Sequence, residues 1–419
     1  MEETILTYID FHGIPTLVGH LWIHSKQGRQ SVSFEYDPAW LKMPYRFSLD
    51  PALQLSEGAF HASVDKPLFG AIEDSAPDRW GRLLMRRGER KFAAIEKRHP
   101  RTLTEIDFLL LVDDETRQGA LRFKRRTDGH FLTTYEKNPI PPLLSLGKLL
   151  TASNRVLQES DTEEDLRLIL APGSSLGGAR PKASVRDKDG HLAIAKFPKQ
   201  DDEIDVLGWE AVALTLAAKA HITTPQWRFE SIGKRRILIS RRFDRLHNTR
   251  IPFLSAMSAL QARDNEPHSY LEIADAIRQM SAHPHNDLRA LWRRMIFNIL
   301  ISNVDDHLRN HAFLYSDTTG WTLSPAYDLN PTPTDIKPRL LSTTIDLIDP
   351  SASIELAFTV SAYFDITPRE MKQIAKEVAL ATTEWQTTAQ KFKITKKEID
   401  RMASAFEHED LHKAIHTSF

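Results

Sequence analysis

Residues 301–315 read ISNVDDHLRNHAFLY and follow directly on an apolar run, crowding Asp305, Asp306, His307 and Asn310 into a few positions. Carboxylates this close repel one another and resist desolvation, so an interior gathers them only around a compensating cation or proton. A solvated turn holds them without cost. Asp305 and Asn310 stand five positions apart, the spacing at which the H-R-D-x-x-x-x-N loop of phosphoryl-transfer enzymes sets its base and a magnesium-binding amide. Further on, "LSPAYDLNP" places Asp328 after the strand-like "WTLS". Magnesium is a hard cation that takes oxygen ligands and keeps water and phosphate in most of its positions. Asn310 and Asp328 suffice as its protein ligands, which leaves Asp305 to orient an attacking hydroxyl.

Working outward, Lys196 ends the strand-like "LAIAKF", where period-two alternation carries its ammonium to the face of Leu192 and Ile194. A lysine among apolar neighbours seeks an anion, and Glu210 on the following helix is a candidate partner in the manner of a strand lysine paired to a helix glutamate. Upstream, "APGSSLGGARPKA" (171–183) is rich in small residues that let backbone amides approach phosphate. Alone it reads as an ordinary flexible connection, and Asp and Asn alone are common turn residues. The ordered set of glycine loop, strand lysine, Asp-x4-Asn and later Asp is what carries the chemical reading. His307 reads as a loop-holding hydrogen-bonding residue, not a metal ligand. Asp306 reads as a loop acid or salt-bridge partner, and "RLLMRRGERK" as a solvated helix face.

Composition fits this reading. The chain has 419 residues, enough for two or three structural units, and is 41% hydrophobic and 26% charged, as ordinary globular proteins are. A formal net charge of -1 gives no global attraction to nucleic acid or anionic lipid. Without cysteine there is no disulfide, thiol catalysis or cysteine-held zinc. No basic, apolar secretory start and no apolar window of roughly 18 to 20 residues is present, so the expectation is a cytoplasmic protein that does not engage membranes.

Along the chain, "TILTYIDF", "PTLVGHLWI" and "SVSFEY" alternate as strands of a small antiparallel sheet. "DSAPDRWGRLLMRRGERKFAAIEKR" changes to helical period, with Asp74 or Ser75 as the expected cap and Pro77 in the first turn. The Pro-rich "KNPIPPLLS" marks a junction near residue 140. "ARPKASVRDKDGHLAIAKFP" reads as two strands about a turn, "EIDVLGWEAVALTLAAKAHI" as an amphipathic helix, and "WRFESIGKRRILISRRFDR" as strand, turn and strand. After residue 255 the pattern is mostly helical. The predicted class is α+β, in segments 1–140, 141–245 and 246–419.

The fragments "DSAPDRWGR", "SSLGGARPKA", "AIAKFP", "RRFDR", "NVDDHLRNHAF" and "LSPAYDLNP" resemble, in order and spacing, the HipA family of bacterial serine/threonine kinases, toxins of type II toxin–antitoxin modules. The resemblance implies a protein-kinase-like two-lobe core with a helical C-terminal lobe and a small β-containing N-terminal subdomain. It implies ATP and Mg2+ as cofactors. Lys196 matches the lysine on the ATP phosphates, Asp305 the catalytic aspartate of N-x-D-x-H-x-x-N with His307 in the nucleotide set, and Asn310 and Asp328 the magnesium pair. Ser174, Ser175, Leu176, Gly177, Gly178 and Lys182 fall in the phosphate loop, with Ser175, or alternatively Ser174, as the autophosphorylated serine. Ser240 and Arg241 match the hinge that receives adenine through its main chain. Arg180-Pro181 departs from the Gln-Glu of some members, and Pro181 removes one amide donor. Implied partners are a protein substrate such as an aminoacyl-tRNA synthetase and a HipB-like helix-turn-helix antitoxin, with DNA reached only through the latter. A small-molecule kinase and a non-catalytic antitoxin-binding corepressor are the alternatives.

Overall fold

Period-two burial builds the first sheet: Ile5, Thr7 and Ile9 are buried in β1 (Glu2–Phe11), Leu21 and Ile23 in β2 (Ile14–Lys26), and Val32, Phe34 and Tyr36 in β3 (Arg29–Tyr36). With β4 (Ala59–His61) and β5 (Leu121–Lys124) these form an antiparallel sheet in the order β4-β3-β2-β1-β5. His12 and Gly13, both at positive φ, make the two-residue turn between β1 and β2, the geometry whose twist suits a tight hairpin. The computed structural model describes residues 2–26, 29–63, 66–132, 140–173, 178–247, 249–316 and 320–417.

The helix after this sheet begins later than expected. Gly70–Glu73 forms a separate short helical turn closed by Asp74, and the long helix runs Arg79–Ile95 with Asp78 as its cap, whose carboxylate accepts from Arg79 N at 2.7 Å. Pro77 precedes the cap and disfavours the helical conformation at Ala76, so the two helical pieces cannot merge.

A second antiparallel sheet has the order β6-β7-β9-β8, from β6 (Lys182–Arg186), β7 (Leu192–Lys196), β8 (Trp227–Ile232) and β9 (Arg235–Arg241). Its apolar face, including Ala183, Val185, Ala193, Ala195, Ile237 and Ile239, packs with Trp80, Leu84, Phe108, Leu149, Leu166 and Ile169 in one core. Chain contacts define two units: Met1–Gln200 with Trp227–Leu254, and Asp201–Gln226 with Ser255–Phe419. All nine strands named so far lie in the first unit, so sheet residues on either side of residue 140 share one unit.

The second unit is mostly helical. Helix Val206–Lys219 is not amphipathic as expected: Leu207, Trp209, Glu210, Ala211, Val212, Ala213, Leu214, Leu216 and Ala217 are all buried. Its alanines leave room for neighbours on nearly every side, and Trp209 packs on Trp385 and Phe406 at ring separations of 6.2 and 6.0 Å. Within the mostly helical region expected after residue 255, two successive helices run Pro368–Thr382 and Trp385–Lys391. No helix among the described residues is long and apolar enough to cross a membrane.

Candidate active site

Helix Pro284–Leu300 delivers the chain into the acidic segment. Ser302 takes a left-handed φ of 51°, Asn303 N donates to Asn298 O at 2.9 Å, and the short 3-10 helix Leu308–Asn310 follows with Asn310 N bonded to His307 O at 2.8 Å. This turn divides the acids. Asp305 is largely exposed, with Lys337 Nζ 3.1 Å from its carboxylate. Asp306 is buried and meets the Tyr270 hydroxyl at 2.5 Å and His311 Nε2 at 2.7 Å, so of the two roles expected for it the structure shows the paired one. Burial raises the Asp306 pKa, but the His311 imidazole and the two hydrogen bonds outweigh it and hold the carboxyl below its usual range. Burial, then the neighbouring Asp306, pushes the Tyr270 phenol well above 10.

Asn310 is buried, and its amide donates to Asp305 O at 3.3 Å. Strands Ala312–Ser316 and Gly320–Leu323 pair antiparallel and bring the chain back beside this segment, where Ser324 N donates to Ala312 O at 2.8 Å. Tyr327 OH reaches Arg309 O at 2.6 Å, Asn330 N reaches Asn303 Oδ1 at 3.3 Å, and Thr332 N reaches Ser302 O at 3.2 Å. Asp328 therefore lies on a segment laced to the one that carries Asp305 and Asn310. It adopts φ 59°, a left-handed conformation uncommon for a residue with a side chain. Asn330 Nδ2 spans its carbonyl at 3.1 Å and its carboxylate at 3.3 Å.

No group of three or more His, Cys, Asp or Glu able to hold a metal occurs among the described residues. An amide oxygen with a carboxylate is nonetheless the hard donor pair that suits magnesium, whose other positions go to water and phosphate. His307 adds a buried Nδ1 that makes no hydrogen bond among the described residues, a polar atom left for a ligand on the same loop. Its backbone carbonyl, not its ring, makes the loop-holding bond to Asn310.

In the first unit, Ser174, Ser175, Leu176 and Gly177 lie outside the described residues. Gly178 is at φ 82°, and a Cβ there would come 2.6 Å from Lys182 Nζ, so the position admits the lysine head because it is glycine. Lys182 and Lys196 are opposite each other across β6 and β7. Ala193 and Ala195 face the core, so Lys196 shares the other face with Ile194, as alternation predicts. Ser240 is flanked by Ile194 and Trp227, while Arg241 stands opposite Ala193 on one side. Glu210 is buried on helix Val206–Lys219 of the other unit.

The segment "DSAPDRWGR" has a structural task that its sequence does not announce. Asp78 accepts from Gly178 N at 2.6 Å, Trp80 N donates to Gly178 O at 3.1 Å, and Trp80 Nε1 donates to Lys182 O at 2.9 Å. The start of helix Arg79–Ile95 thus clasps both ends of segment 178–182. Tyr270, Asn298, Asn303 and Asn330 likewise belong to no motif; the one visible signal is Asn298 inside the apolar "MIFNIL".

An antiparallel N-terminal sheet, a second antiparallel sheet and a helical unit with laced acidic segments define a mixed helix-and-sheet protein. Family profiles for the HipA N-terminal domain and the HipA-like C-terminal domain match residues 13–137 and 174–407. The chain belongs to the HipA family. A Sinorhizobium fredii protein named "Putative kinase Y4mE" is 24% identical over 396 residues, spanning 85% of this chain and 80% of the relative. A Haemophilus influenzae protein named "Putative kinase" is 39% identical over 66 residues, 16% of this chain and 19% of that one. Among solved structures, HipA from the Shewanella oneidensis MR-1 complex of HipA, HipB and operator DNA superposes with a TM-score of 0.69 at 13% identity, over 98% of this chain and 96% of that one.

Proposed function

We propose that this protein is a kinase that transfers the γ-phosphoryl group of ATP, with Mg2+, to a serine or threonine of a protein. The observation that carries the reading is the lacing of segment 302–311 to segment 327–332, with Asp305, Asn310 and the left-handed Asp328 on the two. Kinase-named relatives support it.

Asn310 and Asp328 would hold the magnesium, which when bound supplies neutralisation of charge on phosphate oxygens. Asp305 orients the acceptor hydroxyl and takes its proton; its exposure suits a macromolecular acceptor. Lys182 and Lys196, opposed across two strands, answer phosphate charge with their ammonium groups. Ser240 and Arg241 would meet adenine, and His307 the nucleotide. Because the transition state is loose, positioning and electrostatics supply most of the rate. Ser175, or Ser174, is the proposed self-modification site: a phosphate there brings about 1.5 to 2 negative charges into a phosphate-binding loop and shuts it down by repulsion. A cytoplasmic setting, a HipB-like antitoxin partner and a translation component as target complete the proposal.

Labelled ATP incubated with the protein and a bacterial lysate tests it. The parent should label a protein, and Asp305→Asn should bind ATP yet transfer at least about 100-fold more slowly. Equal labelling by the two removes Asp305 from this role.

A further inference from the structure

The catalytic and metal-binding segments are joined beneath the surface by a one-directional chain of hydrogen bonds. It starts at Asn330 N, which donates to Asn303 Oδ1 at 3.3 Å; Asn303 Nδ2 donates to Asn298 Oδ1 at 3.0 Å; Asn298 Nδ2 donates to Tyr270 OH at 3.0 Å; and Tyr270 OH donates to Asp306 Oδ2 at 2.5 Å. Every donor points the same way, and the chain ends on a carboxylate that also meets His311. Bonds aligned in this manner polarise one another, and an ionised acceptor at the end strengthens the last of them.

Burial makes this costly to build for packing alone. Tyr270, Asn298, Asn303 and Asp306 are each no more than 3% exposed, and the neighbours of Asn298 on its helix, Phe297 and Ile299, are fully buried. Apolar side chains would fill such a space without needing partners, whereas each polar group here destabilises the fold unless it is hydrogen-bonded. The two ends of the chain are the informative part. At one end Asp306 neighbours Asp305, and its carbonyl takes a bond from Thr343 at 2.7 Å. At the other, Asn330 grips the left-handed Asp328 by carbonyl and carboxylate. Left-handed residues persist where surroundings over-determine them.

We propose that Tyr270, Asn298 and Asn303 are positioning residues: through Asp306 and Asn330 they lock segment 302–311 to segment 327–332 and thereby set Asp328 for magnesium. This rests on the functional reading above. Tyr270, Asn298 and Asn303 are buried, so their effect is on the geometry of the segments at the two ends of the chain.

The test is calorimetry of ATP binding with Mg2+ and with chelator, beside thermal melts, on the full chain. Tyr270→Phe keeps the buried ring and removes one oxygen; Asn330→Ala alters a half-buried loop position and leaves the core alone. Both should melt cooperatively while the Mg2+-dependent gain in ATP affinity falls at least fivefold, toward that of Asp328→Ala. Variants that melt lower but keep the parent's gain show a merely structural chain and overturn the proposal, and if Tyr270→Phe does not fold, Asn303→Ala, which removes both links made by the Asn303 side chain, decides in its place. A parent, or an Asp328→Ala control, that shows no magnesium effect of the expected kind sinks the functional reading and this assignment together. A normal parent and control with unaffected variants sinks this assignment only.

Discussion

At Gly178 two requirements meet in one residue: a φ of 82° and a lysine head 2.6 Å from where a Cβ would stand. Gly178→Ala should lower stability by about 1–2 kcal/mol from the left-handed backbone alone. The methyl group should also displace Lys182 and weaken ATP binding, with denaturation and ATP titration reading the two effects. Asp305, Asn310 and Asp328 stand out as candidates in the sequence because spacing in the chain is itself the signal. The work of Asp78 and Trp80 does not, since their bonds to Gly178 and Lys182 close loops of about 100 residues.

Among the elements, the last helix shows how a cap makes stability depend on pH. His408 caps Glu409–His416, accepting at Nδ1 from Leu411 N at 3.3 Å while Nε2 meets Leu300 O at 3.1 Å. Both bonds together require the neutral ring with its proton on Nε2. Burial, then the Arg339 guanidinium, depresses the imidazole to about 4, against a partial opposing pull from Asp410. The unfolded chain, titrating near 6.5, therefore takes up the proton first. Stability from this site is fully present above about 6.5 and falls as pH drops toward 4, by up to about 3 kcal/mol. Urea denaturation between pH 7 and 4.5 should show that decline, and His408→Ser, which keeps a capping oxygen, should flatten it. Elements of this kind were well read locally. Two departures, the later start at Asp78 and the enclosed helix Val206–Lys219, turn on Pro77 and on neighbours far away in sequence.

Across the molecule, the first unit is held by buried charge as well as by its core. Asp244 pairs with Arg242 at 2.5 Å and Arg245 at 2.8 Å, and accepts from Gly119 N at 2.8 Å. Arg245 also reaches Arg117 O at 2.6 Å, while Arg117 donates to Ser75 O, Leu109 O and Val112 O. Burial pulls Arg245 down to about 9 and Arg117 to about 10; burial also raises Asp244, but the facing guanidinium groups hold it far below its usual range. "RRFDR" is thus a staple between the second sheet and residues 116–119. Asp244→Ala leaves the buried Arg242 and Arg245 without their facing carboxylate and should cost about 3–5 kcal/mol in chemical denaturation. A loss below 1 kcal/mol would show the network to be well hydrated instead.

From its own order of residues this chain determines its strands, most of its helices and its family, because alternation, capping and motif spacing act between near neighbours. Tertiary structure alone decided which acid is buried and which exposed, what Trp80 and Asp78 hold, and how Asn330 is tied to Asp306. Those outcomes depend on hydrogen bonds between groups about 30 to 100 residues apart, and such pairs meet only after the intervening chain has packed.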